Sequence, residues 1–235
     1  QNATGVTTSI DGGAGHDTFN TTNSSDRISI NSSAQQNGIS GFEVINTLGG
    51  DDEITLNGST ISLNLDAGSD KDSLSSTVAS GEALTISVAN QGTLGQVRFS
   101  NIENVTLGSG ADTATIAANA GTLNMGPGND SITLNNGATG IINADAGNDS
   151  ATINGTAAGT LNMDAGNDNV NLSNGAEFNG SIALGAGDNR LILGDNSVIT
   201  GNVTALGGND YIEINSGEIK GTIDLGEGDN TLKAV

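Results

Sequence analysis

The stretch Asp145-Ala-Gly-Asn-Asp149-Ser-Ala-Thr-Ile153-Asn-Gly155-Thr-Ala-Ala-Gly159-Thr-Leu-Asn-Met163 contains one complete structural unit. After its Gly-Asn-Asp turn, Ser150-Ala-Thr-Ile153 alternates with a period of two, the pattern of a short half-buried strand. Asn154-Gly155 opens a second turn that runs to Gly159, and Thr160-Leu-Asn-Met163 forms a second strand. Asp164 then starts the next turn. Glycine and asparagine supply the positive φ that such corners need. Two strands and two turns make one coil.

The same turn recurs along the chain. Its marker glycine, two places before the final acid or amide, falls at Gly15, Gly50, Gly68, Gly110, Gly128, Gly147, Gly166, Gly187, Gly208 and Gly228. Successive markers lie 18 to 21 residues apart, and two wider intervals of 35 and 42 are each about two periods. A repeat of this length means a stacked solenoid, in which each coil depends on its neighbours for burial. The pattern predicts an all-β parallel β-solenoid of about 11–12 two-stranded coils, 18–21 residues each, in one continuous domain over residues 1–235.

Inward positions line up from coil to coil. One column runs Ile54/Leu56, Ala114/Ile116, Ile132/Leu134, Ala151/Ile153, Val170/Leu172, Leu191/Leu193 and Ile212/Ile214. The other runs Leu123/Met125, Ile142/Ala144, Leu161/Met163, Ile182/Leu184, Val203/Ala205 and Ile223/Leu225. Aliphatic columns of this size imply a flat, thin rod. Residues 26–47 and 74–107 break the rhythm and read as coils whose turns lost the acidic motif.

Composition narrows the partners. The chain has 27 acidic and 6 basic residues, a net charge of −21, which argues against nucleic acid and favours cations. It has no Cys, so disulfides and zinc–thiolate sites are excluded. No apolar run is long enough to insert in a membrane. The chain opens at Gln1 with no charged-then-apolar leader, which fits a mature secreted form or a piece of a longer protein. It closes on Thr231-Leu-Lys-Ala-Val235 with no capping unit in view, so copies could stack end to end.

The turns carry the chemistry. Calcium takes six to eight hard oxygens in a tolerant geometry. Gly-rich turns expose backbone carbonyls, and an Asp at the end of each turn adds a carboxylate. The expected carboxylates are Asp17, Asp52, Asp70, Asp112, Asp130, Asp149, Asp168 and Asp210, with turn carbonyls around Gly108, Gly110, Gly126, Gly128, Gly147, Gly166, Gly187, Gly208 and Gly228. In two turns the order is swapped: Asp188 and Asp229 sit one place early, and Asn189 and Asn230 take the ligand position. Those sites should be weaker or absent. Asp66, Asp145 and Asp164 replace an earlier glycine and are secondary candidates.

Asp and Asn also cap turns in metal-free solenoids. Against that stands repulsion: carboxylates about 5 Å apart repel by roughly 1 kcal/mol per pair even in bulk water. Little compensates, since in the second half only Arg190 falls directly beside a motif. About six or more calcium ions are expected.

These turns resemble the RTX (haemolysin-type calcium-binding) repeat family. The stretch from Asp145 to Met163 is similar to the variant of about 19 residues with one Gly-x-Gly-Asn-Asp turn per coil, found in bacterial surface adhesins. Gly41-Phe-Glu-Val-Ile45 and Phe99-Ser-Asn-Ile-Glu-Asn-Val-Thr-Leu107 resemble strings that precede RTX turns. The resemblance implies a Gram-negative bacterium, export and calcium-induced folding outside the cell. The expected role is therefore a structural or adhesive module of a cell-surface protein, such as a surface layer or adhesin, alongside other domains of that kind. A self-assembling secreted fibre or lattice and an accessory domain of a secreted protease, lipase or toxin are the alternatives.

Ice binding is a minor alternative. In ice-binding members a Thr precedes the second glycine of the turn, whereas here Ala14, Gly49, Ala67, Ser109, Pro127, Ala146, Ala165, Ala186, Gly207 and Glu227 hold that place. The outward row Thr122, Thr160, Ser181, Asn202 and Thr222 reads as a solvated sheet face. No enzyme is expected, because the single His, His16, lies in a turn and no triad or zinc motif can be assembled.

Overall fold

Alternation of apolar and polar residues becomes, in three dimensions, two sheets that share one thin core. The computed structural model describes residues 9–32 and 38–235, and these contain strands but no helix. They form a 14-stranded and a 13-stranded sheet, parallel almost throughout. The protein is a parallel β-solenoid of about nine turns.

Register is kept residue for residue. In the 13-stranded sheet Ile132, Ala151, Val170, Leu191 and Ile212 stack in one column, with Leu134, Ile153, Leu172 and Leu193 beside them. Across the core, Leu123, Ile142, Leu161, Ile182 and Val203 stack in the 14-stranded sheet. All are buried. Fully burying an aliphatic side chain contributes about 1.5–3 kcal/mol, so each coil is held by a few such contacts on either side. The columns are not purely aliphatic in their surroundings: Phe99 and Phe178 are buried among them.

On the outer face of the 14-stranded sheet, Asn162 Nδ2 donates to Asn143 Oδ1 and Asn143 Nδ2 to Asn124 Oδ1, both at 2.7 Å. A one-residue slip would break this chain and turn the apolar column outward, so the register is doubly fixed.

The irregular segment 74–107 does not consist of coils with altered turns. Ala83–Val88, Gln91–Leu94 and Gln96–Ser100 form an antiparallel meander inside the 13-stranded sheet. Asn90 and Gly95 reverse the chain with φ of 57° and 56°. These residues stay in one sheet instead of crossing between two, which is one reason the turns are fewer than the sequence period implies.

The meander also changes the phase of the winding. Just before it, the strand that follows the acidic turn, Glu53–Asn57, lies in the 14-stranded sheet and pairs with Ser73–Ser76, although Thr18–Asn20 after Asp17 lies in the 13-stranded sheet. After it, the equivalent strand Thr113–Ile116 lies in the 13-stranded sheet. Ile54 therefore stacks over Leu74, Val105 and Leu123, and does not share a column with Ala114.

Candidate cation-binding ladders

The acidic turns build a ladder one residue before each strand. In the C-terminal half, the Asp112 N–H donates to Asp130 Oδ1, Asp130 to Asp149 and Asp149 to Asp168, at 2.7–2.8 Å. Asp168 continues to Asn189, Asn189 to Asp210 and Asp210 to Asn230, at 2.9–3.0 Å. Every step uses one side-chain oxygen and one main-chain donor. One residue outward runs a second ladder of opposite polarity: the Asn148 N–H donates back to Asn129 Oδ1, and Asn167, Asp188, Asn209 and Asp229 repeat the pattern.

The inner ladder leaves one oxygen of each carboxylate over. Oδ2 of Asp17, Asp52, Asp72, Asp112, Asp130, Asp149, Asp168 and Asp210 is buried and accepts no hydrogen bond. Except for Asp17, these aspartates are at most 2 % exposed. A buried carboxylate oxygen without a partner is costly, and a repeat of eight calls for a cation or a donor at each step. Burial pushes the Asp130 and Asp168 carboxyls up to about 7 and Asp72 to about 6, against the pull of the main-chain N–H each accepts; neighbouring carboxylates add to the rise. Asp52, Asp112 and Asp149 are raised by the same burial.

Backbone carbonyls complete the donor set. Those of Gly128, Gly147 and Gly166 take no backbone or side-chain hydrogen bond. The glycine column is required there. A Cβ at Gly147 would strike the carbonyl oxygen of Gly128, and one at Gly166 or Gly187 the carbonyl a coil earlier. Gly110 meets the backbone of Ser80, while Gly128, Gly208 and Gly228 meet Gly110, Gly187 and Gly208 in the same way, and Gly126 meets Gly108. Among the described residues no three acidic, imidazole or thiol groups converge. A cation would therefore draw one carboxylate oxygen per turn and the rest from carbonyls or water. Such a set has only oxygens, which suits calcium and not zinc.

Not every expected residue lies where the spacing put it. Asp70 is exposed with φ of 86° and takes the place of the marker glycine, opposite Gly50. Two extra residues shift the ladder step to Asp72, whose Oδ1 accepts the Asp52 N–H at 2.8 Å. Asp188 and Asp229 are exposed and belong to the outer ladder. Asp145 and Asp164 hold left-handed corners, with φ of 69° and 64°. Asp66 Oδ1 is occupied by Gly68, Ser100 and Asn101. His16 is exposed.

The ladder is also not confined to one edge. Asp26, Asp52, Asp72 and Glu103 line the entry to the 14-stranded sheet, whereas Glu82 and Asp112 to Asn230 line the entry to the 13-stranded sheet. The meander is where the ladder changes side. Both ladders end there on glutamates whose two oxygens are satisfied: Glu103 by Asp72 and Asn90, Glu82 by Ser76 and Gly108. Asp17 and Glu43 make a short third piece, with the Asp17 N–H donating to Glu43 at 2.8 Å. Asp26, Glu43, Asp72, Glu82 and Glu103 escaped the sequence reading, yet each immediately precedes an alternating strand, and that signal was present.

No protein-family model matches the chain, and no curated protein matches its sequence. Among solved structures, the chain is similar to a hyperactive, Ca2+-dependent, β-helical antifreeze protein from an Antarctic bacterium, at 20 % identity and a TM-score of 0.43. The match covers 98 % of this chain and 84 % of that one. A likeness at this level carries no functional argument.

Proposed function

We propose that the protein is a calcium-binding, extracellular β-solenoid that serves as a structural or adhesive module of a bacterial cell-surface protein. The observation that carries this reading is the row of buried, unpartnered Oδ2 atoms, with free carbonyls on Gly128, Gly147 and Gly166 two residues before three of them. Calcium supplies two positive charges to such oxygens when bound. The chain's own residues do the rest: the Oδ1 hydrogen bonds orient each carboxylate, and the glycines let successive turns approach.

Metal uptake and folding are then coupled. With little calcium, an acidic chain repels itself and stays open enough for export. Outside the cell, each site held at 100 times its Kd stabilises the fold by about 2.7 kcal/mol. Summed over several sites, that is of the order of a domain's whole stability. A rigid rod whose order depends on external calcium fits a stalk or a layer better than a catalyst.

Far-ultraviolet circular dichroism of the chelator-stripped protein, titrated with calcium, tests the reading. The expected result is a β-signal that strengthens on addition of calcium and weakens on chelation, with a residual fold that melts at a lower temperature in chelator. An unchanged signal after exhaustive chelation refutes it.

A further inference from the structure

One step of the C-terminal ladder differs from its neighbours in chemistry and not in geometry. Asn189 is 1 % exposed, its Oδ1 accepts the Asp168 N–H at 2.9 Å, and its own N–H donates to Asp210 Oδ1 at 3.0 Å. The ladder runs through it unbroken. With Oδ1 fixed as the acceptor, the other terminal atom is Nδ2, which donates to the carbonyl of Gly187 at 3.1 Å.

At Asp130, Asp149 and Asp168 the corresponding pair is an unpartnered Oδ2 and an unpartnered carbonyl two residues earlier, on Gly128, Gly147 and Gly166. Two acceptors need a cation or a donor from outside the chain between them. A donor and an acceptor need nothing.

We infer that Asn189 stands in for a cation: its amide supplies from within the chain what a bound ion supplies at the aspartate steps. The cation row is interrupted there, and the coil carrying Asn189 is held without metal. Asn230 follows the same logic with another carbonyl, its Nδ2 donating to Leu225 at 3.2 Å. The row along this edge thus divides into a run from Asp112 to Asp168 and a single acidic step at Asp210. Calcium withdrawal should loosen the run first and leave the junction at Asn189 intact. This inference rests on the calcium reading above.

The test is calorimetric titration of calcium into the stripped full chain, paired with thermal melts in chelator, for wild type, Asn189→Asp, Asp149→Asn and Asp149→Ala. Asn189→Asp should take up one more ion than wild type and melt lower in chelator. Asp149→Asn should take up one fewer and melt at least 2–4 °C higher in chelator than wild type, since about 1 kcal/mol shifts a chain of this size by that much. Its new amide has the Gly147 carbonyl to donate to, whereas Asp149→Ala has no such donor and should not gain.

Uptake by wild type with no added ion in Asn189→Asp would overturn this inference alone. So would an Asp149→Asn melt no higher than that of Asp149→Ala. No uptake by wild type would overturn the calcium reading and this inference together.

Discussion

Replacing Gly147 by Ala tests whether the turns are as closely stacked as the ladder requires. The added Cβ would run into the Gly128 carbonyl and lie 2.9 Å from Asp149 Oδ1. Neither neighbour is free to move. The Gly128 N–H is bonded to the Ala146 carbonyl at 2.9 Å, and Asp149 Oδ1 accepts the Asp130 N–H at 2.7 Å. Relief of the contact breaks one or both bonds, at about 1 kcal/mol for the neutral bond and about 1.5–3 for the charged one. Overpacking strain of about 1–3 kcal/mol is the alternative if they hold. The expected loss is about 3 kcal/mol.

Gly175→Ala is the uncrowded comparison, and unlike Gly147 it has a left-handed φ. It has φ of 73° but nothing within 4 Å of an added Cβ, so only the left-handed conformation is penalised, by about 1–2 kcal/mol. Guanidinium unfolding at saturating calcium, followed by far-ultraviolet circular dichroism because the chain has no Trp, measures both. A Gly147→Ala protein no less stable than Gly175→Ala would refute close stacking as the reason for the glycine column.

Acidity gives a second prediction. Carboxyls raised to about 7 in the folded chain, at Asp130 and Asp168, hold protons that the unfolded chain releases near pH 4. Calcium-free stability must therefore fall as pH rises from about 4 through about 7, and melts in chelator should be higher at pH 5 than at pH 8; the opposite order contradicts the burial argument. With calcium present the order should reverse, because protons and ions compete for the same oxygens. Asp72→Ala should lower calcium stoichiometry in calorimetry, and Asp70→Asn should leave it unchanged. Phe178→Ala empties a site 1 % exposed and should cost about 3–5 kcal/mol in the same unfolding assay.

Much of this was legible from the residues. Ser150-Ala-Thr-Ile153 and Thr160-Leu-Asn-Met163 alternate so regularly that strand, coil and inward column follow from period and turn chemistry alone. The swapped turns at Asp188-Asn189 and Asp229-Asn230 likewise place the amide on the ladder. What escaped was phase. The interval of 42 residues between Gly68 and Gly110 divides neatly into two periods, but Asn90 and Gly95 reverse the chain instead of passing it across the core. Local composition cannot distinguish a corner that crosses from one that folds back; the pairing partner decides. The same insensitivity to phase hid Asp72, because the turn from Asp66 to Lys71 has a Gly-Ser-Asp string that imitates the motif two residues too early. The glutamates at 43, 82 and 103 lack the Gly-x-Asp or Gly-x-Asn string of the repeat, and the stacked register brings them to the ladder.

The most direct measurement of the central claim is anomalous diffraction from crystals grown with calcium. Peaks are expected beside Oδ2 of Asp112, Asp130, Asp149 and Asp168, and none at Asn189. Refined density with those oxygens bare or bonded only to water would contradict it.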